Sequence, residues 1–299
     1  MMEKVILYYK FTPLDNPELV RLWQRSLCEK LKLRGRIIIS IHGINGTLGG
    51  EVEDLKSYVK ETKAFHAFKD ADFKWTEGKR TDFPKLSVKV RDEVVSFGVP
   101  SELKVDDHGL VGGGEHISPE EVHELYQKYG DDLVFFDGRS SYEAAIGKFK
   151  GAVVPNVRTA KDFVKEIDKP DYESIKDKPV VTYCTGGIRC EVLSVLMKNR
   201  GFKHVYQMDG GIIKYGEKYG DGGLWEGALY VFDGRMSQKF SAQAKDIADC
   251  IHCGQKTSHY KNCANVACNA LFVSCEDCQD QPFCSKACEE LTGYAVVQN

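Results

Sequence analysis

The stretch Val180-Val181-Thr182-Tyr183-Cys184-Thr185-Gly186-Gly187-Ile188-Arg189-Cys190-Glu191 places the tightest limit on what this chain can fold into. A short β-prone run ends at Cys184, two glycines follow, and Val192 to Arg200 reads as a helix. The order strand, tight loop, helix N-terminus calls for an α/β unit whose loop lies at the C-terminal end of a strand. In such a loop successive backbone N–H groups point at the sulfur, and the helix dipole and Arg189 add positive field. All three favour thiolate over thiol and make Cys184 a nucleophile. A free cysteine at a strand end is usually a packed apolar residue. Gly186 and Gly187 argue against that here, because they permit positive φ and close approach of a ligand where a structural strand gains nothing.

The flanking sequence supplies the rest of this unit. Ser118-Pro119-Glu120-Glu121 opens a helix with an N-cap serine, proline in the first turn and early acidic residues. Leu133 to Asp137 reads as a buried strand ending in a carboxylate, and His204 to Met208 as another strand. A largely parallel sheet follows from this alternation. Upstream, Val5 to Phe11, a helix from about Glu18 to Lys32, Arg36 to Ile41, a glycine-flanked strand within His42 to Gly50, a helix over Val52 to Thr62, and strands at Phe73 to Trp75 and Leu86 to Val90 follow the split βαβ, ferredoxin-like plan. Lys74, Lys79, Arg80, Lys85, Lys89 and Arg91 on that sheet suit an RNA backbone, or equally an ordinary solvated face.

Ser101 to Gly114 is polar and Gly-rich and reads as a linker. The expected division is therefore a ferredoxin-like α+β domain over 1–100, a linker over 101–115, an α/β domain with a parallel sheet over 116–222, and a Cys-rich region over 223–299. A length of 299 residues fits two or three such units. The formal net charge of −3 gives no global argument for nucleic acid or membrane binding. With no bilayer-length apolar run and no secretory leader pattern, a cytoplasmic protein is expected, without a membrane partner.

Eight of the 11 cysteines lie between Cys250 and Cys288, and in a cytosolic chain such density points to metal rather than disulfides. Cys250, Cys253, Cys263, Cys268, Cys275, Cys278, Cys284 and Cys288 include two Cys-x-x-Cys pairs and can form two tetrahedral structural zinc sites, with His252 and His259 as substitute ligands. Metal would supply folding energy that so small a core lacks. Order alone does not say which four share an ion, and an iron–sulfur cluster is the alternative. No flavin or nicotinamide glycine motif and no His-x-Asp or His-x-Glu iron pair is present.

Asp137-x-Arg139, Gly147 to Pro155, the loop from Cys184 to Arg189, and Gly201 to Ile212 together resemble a rhodanese domain over about residues 116 to 220. With Gly43-Ile44-Asn45-Gly46-Thr47, the loop Cys184 to Glu191, and Phe232-Asp233-x-Arg235 before the Cys-rich tail, the whole chain resembles the rhodanese-like tRNA uridine hydroxylases. That resemblance implies oxygen-dependent 5-hydroxylation of the wobble uridine, with tRNA as partner, molecular oxygen as co-substrate and Cys184 required. One departure is Ser140, where the family commonly has asparagine.

From the residues themselves, Cys184 is a nucleophile or persulfide carrier. Amides of Thr185, Gly186, Gly187, Ile188, Arg189 and Cys190 cradle its outer sulfur or an anion. Asp137 and Arg139 orient the loop across strand ends, or form an ordinary ion pair. Cys190 resolves an oxidised Cys184, or packs inside the helix start. A sulfurtransferase fed by a small sulfur donor is the second reading, and a non-catalytic zinc-dependent scaffold the third; oligomeric state is left open.

Overall fold

The computed structural model describes residues 2–296, which form a mixed α/β protein. Two compact units divide it: Met1–Ser140 with Gly151–Lys218, and Ser141–Lys150 with Tyr219–Asn299. Among the described residues no helix is long and apolar enough to cross a membrane.

The first unit begins with a five-stranded sheet. Strands β1 (Glu3–Phe11), β2 (Arg34–Ser40), β3 (Gly43–Glu51), β4 (Asp72–Thr76) and β5 (Leu86–Val90) lie in the order β4-β1-β3-β2-β5. Helices α1 (Pro17–Lys30) and α2 (Val52–Ala64) connect them, so this is the split βαβ plan with β5 added parallel to β2 at the edge. Helix α1 starts where the Asn16 side chain accepts the Leu19 amide and Pro17 presets the first turn. Its Val20, Gln24 and Cys28 face Leu55, Tyr58 and the inward residues Ile6, Tyr8, Ile37, Ile39 and Leu48 of the sheet.

The glycines of β3 are packing devices. A Cβ at Gly46 would come within 2.4 Å of the Tyr8 ring, and one at Gly50 within 2.3 Å of Leu33. Tyr8 lies across Gly46 and stacks on Phe73 with ring centroids 4.4 Å apart, while its hydroxyl meets that of Tyr58. The Gly-Ile-Asn-Gly-Thr run is thus spent on the interior of the sheet, and Asn45 donates to the Val94 carbonyl at 3.0 Å.

The second sheet of this unit is parallel throughout: β6 (Glu115–Ile117), β7 (Val134–Asp137), β8 (Pro179–Tyr183) and β9 (His204–Met208), in the order β6-β9-β8-β7. Helices α3 (Pro119–Tyr129), α4 (Ile188–Asn199) and α5 (Gly211–Tyr219) accompany it. Ser118 and Glu121 form the capping box expected at the start of α3.

Three expectations change. Residues 101–115 are not a free linker: they hold a short hairpin (Val105–Asp106 with Gly109–Leu110), Leu103 is buried in the core, and Glu115 already belongs to β6. Their glycines shape turns rather than confer slack. Helix α4 starts at Ile188, not Val192, because Gly187 at φ +101° turns the chain directly into it. Lys74 is not on a solvated face; its side chain is 4% exposed.

In the second unit, short strand pairs (Gly147–Phe149 with Trp225–Gly227, Leu229–Tyr230 with Ser237–Gln238, Ala248–Asp249 with Lys256–Thr257, Tyr260–Asn262 with Leu271–Val273) precede a helix over Lys286–Val296. Ile146, Ala228, Tyr230, Ala248, Tyr260 and Val273 form a small buried cluster.

Replacing Gly46 by alanine forces its Cβ into Tyr8, and overpacking of this kind costs about 1–3 kcal/mol. Urea titration of Gly46→Ala should show that loss; unchanged stability would refute the packing role.

Candidate active site

Cys184 follows the last residue of β8, and its side chain sits between the loop and the start of α4, 1% exposed. The Gly187 amide donates to its sulfur at 3.2 Å. Burial works against ionisation of this thiol, but the Cys190 side chain, the Arg189 guanidinium and the backbone amides of Cys190 and Arg189 outweigh it and bring it down to about 5. Cys190 goes the other way: burial and the neighbouring Cys184 push it well above the ordinary thiol value, so it remains a proton donor toward Cys184. Both cysteine readings therefore meet in one place, with Cys190 packed in the first turn of α4 and hydrogen-bonded to Cys184.

The loop is clamped from two sides. Ile212 and Ile213 at the start of α5 donate to the carbonyls of Cys184 and Thr185 at 3.0 and 3.1 Å. A Cβ on Gly211 would lie 2.4 Å from the Cys184 carbonyl oxygen, so only glycine allows this approach. Arg189 reaches back to Thr185 Oγ1 at 3.3 Å. Gly186 is open on its Cβ side.

Asp137 and Arg139 are both fully buried. The guanidinium grips the carboxylate in fork geometry, Nε to Oδ1 at 2.9 Å and Nη2 to Oδ2 at 2.6 Å. The Arg139 amide donates to Oδ1 at 3.0 Å, the Tyr183 hydroxyl adds a further bond to Oδ2 at 2.8 Å, and the Gly138 amide donates to the Tyr183 carbonyl at 2.8 Å. The pair thus joins the ends of β7 and β8 one residue before Cys184. Ser140, the departure from the family pattern, donates to the Arg158 carbonyl at 2.8 Å.

Sequence reasoning did not bring together the residues that surround this loop, and it passed over Tyr9 and His116 altogether. Tyr9 on β1 donates from its hydroxyl to Glu191 at 2.9 Å and stands against Gly187. Glu191 also accepts from Gln207 at 3.0 Å and lies 3.5 Å from His116, whose other ring nitrogen meets Asp209 at 2.5 Å. Asp209 and Glu191 raise His116 to about 10 against the opposing effect of burial, so it is an imidazolium at neutral pH. Lys74 on β4 sits 3.3 Å from Asp72 and over the Tyr9 ring at 5.0 Å, and Lys214 on α5 binds the same Asp72 at 2.8 Å. Burial pulls Lys74 below the usual lysine range, with Asp72 opposing. These groups line a cavity of about 360 Å³. Asp209-Gly210-Gly211 and Glu191 were visible as motif residues, but nothing local tied them to Tyr9 or Lys74.

The eight tail cysteines sort into two sets: Cys250, Cys253, Cys275 and Cys278, and Cys263, Cys268, Cys284 and Cys288, each with its sulfurs within 4.8 Å of one another. The sets interleave along the chain, so each clip spans part of the other. Measured separations are 3.6 Å for Cys253–Cys275, 3.7 Å for Cys268–Cys284 and 3.5 Å for Cys284–Cys288. Four thiolates at about 2.3 Å from one tetrahedral zinc stand about 3.8 Å apart, so both sets fit such an ion. Neither set includes His252 or His259.

The chain matches three family models: the UPF0176 acylphosphatase like domain over residues 3–94, the rhodanese-like domain over 118–218, and the rhodanase C-terminal region over 226–289. Among curated proteins it is similar to the tRNA uridine(34) hydroxylase of Corynebacterium jeikeium strain K411, 57% identical over 98% of this chain and 96% of that one. The protein of the same name from Corynebacterium glutamicum strain R is 59% identical over 92% and 88%. That from Pseudarthrobacter chlorophenolicus is 58% identical over 94% and 96%. With an acylphosphatase-like domain, a rhodanese domain and a cysteine cluster able to hold metal, and with such identity along nearly its whole length, the chain belongs to the tRNA uridine(34) hydroxylase family.

Proposed function

We propose that this chain is an oxidoreductase that hydroxylates the wobble uridine of tRNA at C5, with molecular oxygen as co-substrate, in the cytoplasm, and with Cys184 as the catalytic residue. The relatives' shared name supports the substrate and the reaction. The observation that carries the residue assignment is the Cys184 thiol held near pKa 5 in a loop whose amides and Arg189 face it. A thiolate is the nucleophile uracil needs. Its sulfur bonds to C6 and the C5=C6 electron pair moves toward the C4 oxygen, which makes C5 electron-rich. C5 takes one oxygen atom of O2, and the other leaves as water at the expense of two electrons and two protons from an external thiol reductant. Loss of the C5 proton then restores C5=C6 and expels the Cys184 thiolate. Thr185 to Cys190 hold the thiolate, Arg189 balances its charge, and the Asp137–Arg139 pair positions the loop through the strand ends. The two cysteine sets, Cys250/Cys253/Cys275/Cys278 and Cys263/Cys268/Cys284/Cys288, would each hold a zinc ion, which would supply folding energy to the second unit.

The same loop suits a persulfide, because the Gly187 amide aimed at the sulfur would equally cradle an outer sulfur atom. A sulfurtransferase using a small sulfur donor is therefore the second reading, and thiosulfate:cyanide activity distinguishes it.

Nucleoside mass spectrometry of tRNA from a deletion strain carrying Cys184→Ser should find hydroxylated uridine reduced on the order of 10³-fold, the scale of losing a nucleophile. Normal levels would exclude Cys184 as the reacting residue. Iodoacetamide alkylation followed by peptide mapping should show Cys184 reactivity rising with pH through a midpoint near 5 and level from pH 7 to 9. The sign follows from a lowered pKa: the reactive form is complete above it and lost below it. A midpoint near 8.5, the ordinary thiol value, would contradict the assignment. Elemental analysis should find about two zinc ions per chain, and chelation should unfold the second unit before the first; a metal-free protein with both units folded would rule out structural zinc.

A further inference from the structure

The cavity beside the Cys184 loop is built from two charged clusters with opposite imbalance. In one, two ammonium groups, Lys74 and Lys214, contact the same carboxylate, Asp72, at 3.3 and 2.8 Å, and Lys10 and Asp70 line the same side, so three cations face two carboxylates in the cavity lining. In the other, the His116 imidazolium is shared by two carboxylates, Asp209 at 2.5 Å and Glu191 at 3.5 Å. Tyr9 spans between them, its ring under Lys74 at 5.0 Å and its hydroxyl on Glu191 at 2.9 Å. One cluster thus has positive charge to spare for an anion, and the other has the second carboxylate oxygen of Asp209 to spare for a donor, both Glu191 oxygens being taken by Tyr9, Gln207 and His116.

Lys74 makes the first imbalance notable. Its side chain is 4% exposed, and a cation held out of water costs free energy unless it is well paired. Half of its carboxylate partner is spent on Lys214. Gly210 lets Lys214 fold across the start of α5, since a Cβ there would strike the lysine stem at 2.1 Å. A volume of about 360 Å³ falls within the range of small-ligand sites and accommodates one nucleotide.

We propose that this cavity is a ribonucleotide subsite, in which a backbone phosphate is taken by Lys74 and Lys214 and a ribose 2′-hydroxyl donates to Asp209. An RNA nucleotide brings an anion and a hydroxyl donor on one scaffold, which matches the two imbalances; DNA lacks the donor. The inference rests on the tRNA reading above and specifies where the RNA chain is gripped next to the reacting cysteine.

The test is equilibrium binding, which does not require turnover. Full-length protein is titrated with a fluorescent anticodon stem–loop RNA bearing uridine 34, across a range of salt concentrations. Lys214→Gln is the primary variant, because Lys214 is 41% exposed and its loss leaves the core intact, as circular dichroism can verify. Affinity should fall about tenfold and the slope of log K against log salt should shrink by about 0.7 to 1, the signature of one lost phosphate contact. A stem–loop with deoxyuridine at that position should bind several-fold more weakly to the wild type and equally to wild type and Asp209→Asn. Lys203→Gln, a lysine paired with Asp177, serves as the control.

If Lys214→Gln and the deoxyuridine substitution both leave affinity and salt slope unchanged while the wild type hydroxylates tRNA, the subsite is wrong and the activity stands. If the wild type shows these binding dependences yet forms no hydroxyuridine, the subsite stands and the activity reading falls.

Discussion

A cysteine sulfur shielded from water yet surrounded by hydrogen-bond donors is the constraint on which the rest of the first unit depends. Burial alone would hold Cys184 as a neutral thiol, and its 1% exposure would make it inert. The chain after β8 works against this by bringing donors within reach in a few residues: the Gly187 amide, the first-turn amides of α4, the Cys190 thiol and the Arg189 guanidinium. Each requires the loop to be tight, which in turn requires Gly187 in the left-handed region and Gly211 bare enough for α5 to bond the loop carbonyls.

A second buried charge system anchors the first. The Asp137–Arg139 fork with Tyr183 is fully enclosed, so its worth lies in geometry: breaking such a pair leaves an unpaired ion in a low-dielectric interior. Phe136-Asp137-Gly138-Arg139 recurs as Phe232-Asp233-Gly234-Arg235, and the second copy folds alike, with Nε to Oδ1 at 2.8 Å and the arginine amide to Oδ1 at 3.1 Å. The four-residue string is a local device in which the aspartate receives both its neighbour's amide and guanidinium. In the first copy it is joined to the end of β8, one residue before Cys184.

The second unit solves a different problem. Its strands are two or three residues long and its buried cluster is small, so apolar burial alone is a weak source of stability. Interleaving the two cysteine sets means that neither set can gather its sulfurs without ordering the segment that carries part of the other, which couples the two candidate metal sites along the whole tail.

Local chemistry in the sequence was enough to pick out Cys184 as the candidate reactive residue, the fold class, and the eight sulfurs that the structure gathers into two sets able to hold a metal. A strand-Cys-Gly-Gly-helix order, the alternation of β and α elements and paired Cys-x-x-Cys spacing are all short-range patterns with direct physical meaning. Tertiary structure alone decided the partition of the cysteines, because sulfurs 25 residues apart, such as Cys250 and Cys275, become neighbours only when the chain folds back. It also decided the environment of the nucleophile. Tyr9 and Lys74 sit on strands of a different sheet from Cys184, and a single lysine on an alternating strand gives no sign of whether it faces water or a buried carboxylate. Side-chain direction in a sheet is settled by which face another element covers, and that is a property of the assembled layers rather than of any one segment.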